Sequence, residues 1–512
     1  MRGRPLRFLR RCCQILTLLG VLWLFLQTDY HGRDELAFPV ALLFRLDPLA
    51  ALAAALAPGV FAWKLLWPAL LLLALTALLG RFFCGWICPL GTTLDGGGAL
   101  LGTRKRALRP GWRQVKYLLL LGLSMAALLG VQLLGVFDPL AIFLRTLTLA
   151  LFPAWNLALN GLFDFSYAQQ LPLFSPLIDS AFPFARDYLM AFHQPVFTLG
   201  LFTLLVFVAI LLLEKIEKRF WCKHLCPLGA LLGLCSLRAR LRHLPNPNCG
   251  HCSDCTAACA SGATDRKHPQ PSECLLCFDC QASCPQSEMK LIWSDSPSAG
   301  IDLTRRGTLA ALAAGAFLAP VVRSAPQQYR LEPTLLRPPG ALAEAEFLRR
   351  CVRCGECLKV CIGQALQPAL LQAGAIGLWT PVVMPRIGYC EYNCTLCGQV
   401  CPTGAIRRLP LEEKRKLVIG LAVLERDRCL PFARGEECLV CEEHCPTGEK
   451  AIVFEEKEML VRGELRRIKL PSVVTERCIG CGICETRCPL EGRSAIRVLN
   501  DKESRRTQGR WD

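Results

Sequence analysis

Three signatures are missing from this 512-residue chain. There is no C-x-x-C-H, which excludes a c-type haem attachment site. There is no complete G-x-G-x-x-G: Gly96-Gly97-Gly98 reads as a flexible loop and does not finish that fingerprint, so no nicotinamide or flavin nucleotide site is indicated. No nucleic-acid motif accompanies the formal net charge of +17. Nucleic-acid binding is therefore not expected.

What is present divides in two. The chain is 52% hydrophobic with a mean hydropathy of +0.33, too apolar for an ordinary soluble protein. The apolar runs lie mostly before residue 215, whereas 27 of the 31 cysteines lie after residue 220. Four segments are long and apolar enough to span a bilayer: Gln14–Thr28, Leu65–Phe83, Tyr117–Val136 and Val196–Leu213. Basic clusters flank them, at Arg2–Arg11, Arg104–Lys116 and Lys215–Lys223, and the positive-inside rule then puts both ends of this half in the cytoplasm. Residues 139–185 are apolar but interrupted by Pro153, Pro172, Pro176 and Arg145, and read as interfacial or periplasmic helices, with an extra span as the alternative.

The apolar half repeats itself. Asp47-Pro48-Leu49-Ala50 recurs as Asp138-Pro139-Leu140-Ala141. Cys84-Gly-Trp-Ile-Cys88-Pro-Leu-Gly recurs as Cys222-Lys-His-Leu-Cys226-Pro-Leu-Gly. The Asp-Pro pairs read as helix caps, since Asp accepts from unpaired amides and Pro suits a first turn. The four cysteines Cys84, Cys88, Cys222 and Cys226 admit two readings, a shared metal centre or a buried thiol pair at each helix end.

The cysteine-rich half carries a more specific signal. Cys249, Cys252, Cys255 and Cys259 keep the spacing C-x2-C-x2-C-x3-C, and Cys274, Cys277, Cys280 and Cys284 repeat it. Disulfide scaffolds do not repeat that spacing, whereas three close cysteines on one loop suit three corners of an inorganic cube. In the bacterial two-cluster ferredoxin arrangement the fourth cysteine of each run ligates the other cluster, so Cys284 is expected with the first triplet and Cys259 with the second. Four more quartets follow: Cys351, Cys354, Cys357, Cys361; Cys390, Cys394, Cys397, Cys401; Cys429, Cys438, Cys441, Cys445; and Cys478, Cys481, Cys484, Cys488. Their ligand pairing stays open. Short β-like runs are expected at Ala405–Leu409, Ala451–Glu456 and Ala495–Leu499. Ser261-Gly262-Ala263-Thr264 mimics a flavin-attachment tetrad but fills the slot of Thr403-Gly404-Ala405-Ile406, so it reads as a turn. Cys12, Cys13 and Cys235 lie in apolar runs and read as packed thiols.

The expected fold class is thus an α-helical membrane domain followed by α+β ferredoxin-like [4Fe–4S] modules. Residues 1–240 form a four-span membrane domain, 241–295 a two-cluster domain, 296–340 a linker and 341–512 a four-cluster domain. In the linker, Thr304-Arg305-Arg306-Gly307-Thr308-Leu309 opens a short apolar stretch, Leu309–Val322. A twin arginine there resembles a Tat export signal. The alternative is an Ala-rich linker helix. Export puts 341–512 in the periplasm, with 241–295 in the cytoplasm and the chain multi-pass in the bacterial inner membrane.

On these residues the first 300 positions resemble NapH, a four-span ferredoxin-type subunit with two C-x-x-x-C-P motifs, and the rest resembles the MauM/NapG ferredoxin-type proteins. The membrane part also resembles the core of NosR, without that family's periplasmic flavin domain. The pattern departs in two places: Ala260 and Ile362 stand where proline often follows a quartet, and the Tat-like motif lacks its usual aromatic. The resemblance implies six [4Fe–4S] clusters and single-electron transfer from membrane quinol toward a periplasmic redox protein such as nitrate reductase. It makes the chain a possible component of a quinol dehydrogenase, with a maturation factor or a subunit of a larger redox complex as alternatives. No residue set marks the quinol site.

Overall fold

The computed structural model describes residues 3–30, 32–36, 38–57, 63–102, 110–168, 175–245, 249, 252, 254–264, 270–285, 289–294, 301, 303–323, 332–461 and 463–504. Arg2, Arg104, Lys105, Arg106 and Arg109, among the expected basic flanks, lie outside them.

The apolar half is a helical unit. Helix α1 (Gly3–Gln27) is followed by α2 (Pro48–Ala55), α3 (Trp63–Leu79), α4 (Phe82–Trp86), α5 (Pro89–Leu101), α6 (Val115–Leu128) and α7 (Leu134–Phe137). Then come α8 (Pro139–Thr146), α9 (Phe152–Ala168), α10 (Ser175–Tyr188), α11 (Gly200–Leu212) and α12 (Pro227–Cys235). The Asp-Pro pairs cap as the repeat suggests. Asp47 accepts from the Leu49 amide at 2.9 Å, and Asp138 from the amides of Leu140 and Ala141 at 3.1 and 3.3 Å. The two buried carboxyls also hydrogen-bond each other, so the two repeats meet at their caps.

Two expectations are corrected here. Gly96-Gly97-Gly98 is not a loop but lies inside α5, where Gly97 leaves room for Leu211 of α11. Pro153 does not break its segment: residues Pro139–Ala168 form one continuous 30-residue helix. A π-helical stretch at Leu147–Leu151 immediately precedes the proline and absorbs its missing amide and ring clash. By length and composition this helix and α1 could each cross a bilayer.

After α12, strand β1 (Leu241–Pro245) pairs antiparallel with β2 (Met289–Trp293), Leu241 opposite Trp293 and Pro245 opposite Met289. Between them lie short helices α13 (Asp254–Ala258) and α14 (Asp279–Ala282), each carrying the third cysteine of its run. This first cysteine-rich unit packs on the start of α1: Arg7 pairs with Asp279 at 3.0 Å, and Gly3 lies against Gln281 and Ala282.

Helix α15 (Arg305–Arg323) leads to the last unit. It is longer than its 14-residue apolar core, and it lies along α6 in the same direction. Gly307 sits near Leu118, Gly315 near Gly122, and Ala319 packs with Ala126 and Val131. A Cβ on Gly315 would stand 2.2 Å from the Gly122 carbonyl oxygen, so only glycine lets the backbones approach this closely. Gly315→Val is expected to destabilise the protein by about 1–3 kcal/mol in thermal unfolding. Gly20→Ala, in open space on α1, is expected to be neutral or better.

The last unit pairs β3 (Leu366–Pro368) with β4 (Pro381–Val383), β5 (Leu421–Leu424) with β8 (Ile496–Leu499), and β6 (Ile452–Val461) with β7 (Glu464–Val473), all antiparallel. The expected run at Ala451 thus extends into a ten-residue hairpin strand, and that at Ala495 is β8. The run at Ala405 makes only an isolated bridge, Ile406 with Ala341. This unit packs where α1 ends: Lys359 pairs with Asp29 at 3.3 Å, and Asp34 accepts from the Thr395 amide at 2.7 Å. Since α1 rises ~37 Å over its 25 residues, the two cysteine-rich units bracket the helical unit from opposite ends.

Candidate metal centres

Sequence places three cysteines of each run on one loop, and folding supplies the fourth from another. Cys351, Cys354 and Cys357 line one pocket together with Cys401. Cys390, Cys394 and Cys397 lie within electrostatic range of Cys361. Cys429, Cys438 and Cys441 line a second pocket with Cys488, and Cys478, Cys481 and Cys484 a third with Cys445. In the first cysteine-rich unit Cys274, Cys277 and Cys280 lie within electrostatic range of Cys259, while Cys284 packs against Cys255, Cys280 and Met289. The Cys274 triplet and the four arrangements that the sequence leaves open are thus crossed.

These cradles suit a cluster rather than one ion. A tetrahedral zinc site draws its sulfurs to within about 3.8 Å of one another. Among the described residues, no three thiols, imidazoles or carboxylates converge on a single-ion position. The backbone points the same way. In three loops with strict spacing, the residues flanking the second cysteine have left-handed φ: Leu276 and Phe278 at 51° and 61°, Arg353 and Gly355 at 57° and 88°, Gly480 and Gly482 at 70° and 86°. Three of these six are not glycine and carry a cost of roughly 1–2 kcal/mol each. Such runs turn successive amides inward, a nest for an anion. Amides also reach the fourth cysteines directly: Ile406 donates to Cys401 Sγ at 3.4 Å, and Ala451 to Cys445 Sγ at 3.4 Å. At Cys259 burial works to raise the thiol, but hydrogen bonds from Thr264, Ser261 and the Ala263 amide outweigh it and lower the pKa. Ser261-Gly262 is the turn it was expected to be: Gly262 and Gly404 share φ of 67°.

The sequence reading missed the cations. Arg145 and Arg353 are buried beside the Cys351 cradle, and the Nε of each lacks a partner. Arg145 donates to the Arg353 carbonyl at 3.2 Å and lies 4.0 Å over the Trp379 ring. Among the described residues neither arginine has an ion pair, so an anion in the cradle would complete the site. Arg145 gave no signal beyond being a lone charge in an apolar stretch.

Each end of the helical unit receives one cluster loop against a glycine. A Cβ on Gly135 would stand 2.3 Å from the Val352 carbonyl, and one on Gly85 would stand 2.1 Å from that of Leu275. Glu273, just before Cys274, is buried and receives Lys116 Nζ at 2.5 Å, Tyr117 Oη at 2.9 Å and Arg81 Nη1 at 3.1 Å.

Crossed cysteine quartets on paired loops define an iron–sulfur electron-transfer protein of ferredoxin type. Two family models, each described as a 4Fe-4S binding domain, match the chain, one at residues 61–107 and 197–245 and the other at 471–491. The chain is 40% identical over 189 residues to the methylamine utilization ferredoxin-type protein MauM of Methylorubrum extorquens, which covers 36% of this chain and 80% of that protein. It is 39% identical over 175 residues to the ferredoxin-type protein NapG of Escherichia coli, 34% of this chain and 74% of that one. The ferredoxin-type protein NapF of Escherichia coli is 29% identical over 160 residues, 31% of this chain and 84% of its own length. The chain belongs to the MauM/NapG ferredoxin-type family. No solved structure matches it.

Proposed function

We propose that this chain holds six [4Fe–4S] clusters in the crossed quartets, spans the bacterial inner membrane, and relays electrons from membrane quinol toward a periplasmic redox protein or reductase. One observation carries the reading: cysteine cradles sit at both ends of a helical unit whose outward surface is apolar. Ile15, Leu19, Trp67, Leu71, Leu205 and Phe317 are all exposed on its helices, more apolar surface than water tolerates. Helices α1, α3, α6 and α11 lie in the four segments expected to span. The rise of α15 is ~28 Å over 19 residues, close to a bilayer's hydrocarbon thickness, which supports reading it as a further crossing rather than a loose linker. Its amino end carries Arg305 and Arg306 on the same side as Lys116, in keeping with the positive-inside rule.

In such a relay the cysteines supply thiolate ligands, the amide nests and cations stabilise the anionic cradle, and the apolar shell excludes water. A cubane cluster supplies the one-electron chemistry when bound. Reporter fusions after Ser294 and at the C-terminus are expected to report opposite sides of the membrane. Anaerobic protein mixed with a quinol is expected to bleach in the visible range as its clusters reduce. Fusions that report one side, or clusters that quinol never reduces, overturn this reading.

Arg145 provides a sharper check. A cation near the Cys351 cradle favours the more negative, reduced state. Arg145→Gln is expected to lower that cluster's potential by on the order of 100 mV, from a Coulomb energy of about 2–3 kcal/mol at ~6–8 Å and an effective dielectric of ~20. Redox titration followed by electron paramagnetic resonance reads the shift, and the other clusters stay in place.

A further inference from the structure

A pocket opens where the last unit meets the helical unit. Asp29 and Tyr30 line it from the end of α1, Thr148 and Phe152 from the long Pro139–Ala168 helix, and Phe192 and His193 from the segment before α11. The last unit closes it with Lys359 and Cys361. Ile362, which stands where proline often follows a quartet, lines it as well. Cys361 is the thiol that faces the Cys390 triplet, so whatever fills the pocket touches the edge of that cradle. The pocket lies at the end away from Cys84, Cys88, Cys222 and Cys226, which gather in one core beside the first cysteine-rich unit.

Its walls are aromatic and held in place. Tyr30 and Phe192 meet edge-to-face at 6.2 Å, and Phe25 and Phe152 at 5.4 Å. The 191–197 segment is tied on both sides: the Ala191 amide donates to Asn156 Oδ1 at 2.7 Å, and Gln364 donates to the Gln194 carbonyl at 2.8 Å. A few polar groups converge within these walls. Thr148 is 1% exposed, and its hydroxyl has no partner among the described residues. A buried hydroxyl without a bond is costly until a ligand supplies one. Thr148 belongs to the π-helical stretch Leu147–Leu151, a local widening of the kind that recurs at functional sites. Lys359 Nζ pairs with Asp29 at 3.3 Å and lies 4.5 and 4.4 Å over the Phe25 and Phe152 rings. His193 is open to solvent.

We infer that this pocket binds the ring of a hydroquinone, with Phe152, Tyr30 and Phe192 as its apolar walls and with Thr148 and the Lys359–Asp29 pair as hydrogen-bond partners of its oxygens. Flat apolar walls with a few convergent polar groups suit such a ring. Trp23, Phe38 and Trp155 are exposed around this end of the helices, as side chains at a membrane–water boundary are, which suits a ring that arrives from the bilayer. Oxidation there breaks the two O–H bonds of the hydroquinone. Its two electrons leave one at a time across Cys361 to the iron–sulfur relay, its two protons pass to water by way of His193, and the quinone departs. The inference rests on the relay reading above, and its test separates the two.

The full chain is purified anaerobically in detergent and photolabelled with an azido-benzoquinone bearing a short isoprenoid tail. The label is expected in peptides that hold Thr148–Phe152 or Ala191–Phe197. A short-chain ubiquinone is expected to compete for it, and phosphatidylglycerol is not. Thr148→Val is expected to weaken that competition about three- to tenfold, the worth of one hydrogen bond, at unchanged iron content. Ala191→Trp, which fills the pocket, is expected to abolish both the labelling and the bleaching by quinol, while iron content and bleaching by dithionite stay as in wild type. Label found elsewhere on a chain that quinol does bleach, or a Thr148→Val variant that competes as wild type does, overturns this site and leaves the relay standing. Equal competition by phosphatidylglycerol marks an apolar crevice only and overturns the site too. Label in the pocket of a chain that quinol never bleaches keeps the binding site and overturns the relay. Should Ala191→Trp lose its iron, the position of the label and Thr148→Val decide.

Discussion

Serine at Cys401 is expected to abolish the cluster held by Cys351, Cys354 and Cys357 and to spare the one held by its own sequence neighbours. Read along the chain, Cys401 completes Cys390, Cys394 and Cys397. In the fold it lines the other triplet's pocket, and the Ile406 amide donates to its Sγ there. The reciprocal change, Cys361→Ser, is expected to abolish the Cys390 cluster and spare the Cys351 one, since Cys361 lies within range of Cys390 and of Cys394. Each variant is expected to lose about four irons per chain. The two are told apart by Arg145→Gln in the same background. With Cys361→Ser the shifted paramagnetic signal remains, and with Cys401→Ser there is no signal left to shift. If Cys401→Ser instead removed the Cys390 cluster, the crossed pairing would be wrong.

Much of this was legible in the sequence because cluster ligation is a local code. Three thiols within seven residues suffice to announce a cube, and the two strict runs around Cys249 and Cys274 announced their own exchange of fourth ligands. The last four quartets did not, because Cys390 and Cys429 open their runs with lengthened gaps and nothing local says which loop faces which. That helices occupy the four apolar runs was legible for the same reason, since apolarity is local. What escaped depends on contacts distant in sequence. Pro153 reads as a breaker until the π-helical turn before it is seen. Gly96-Gly97-Gly98 reads as a loop until Leu211 is found against it.

The largest expected loss of stability comes from Glu273→Ala. This carboxylate is 4% exposed and is the only one that pairs with Arg81 and Lys116 among the described residues. Arg81 leads into α4 and Lys116 lies in the first turn of α6, while Glu273 is bonded directly to the ligand loop of Cys274. One side chain thus fastens a cluster loop to two separated segments of the helical unit. Truncation leaves both cations buried without their counter-ion and the Tyr117 hydroxyl without its acceptor, which costs about 3–5 kcal/mol. Glu273→Gln keeps an acceptor for Tyr117 while losing the charge, and is expected to fall between wild type and Glu273→Ala. The damage should be local: faster proteolysis between residues 245 and 289 and a weaker signal from the Cys274 cluster, with the signals of the last unit retained. Uniform loss of all signals would mean that the first cysteine-rich unit does not dock independently. An unchanged melting temperature would mean that Arg81 and Lys116 are compensated by something other than this carboxylate.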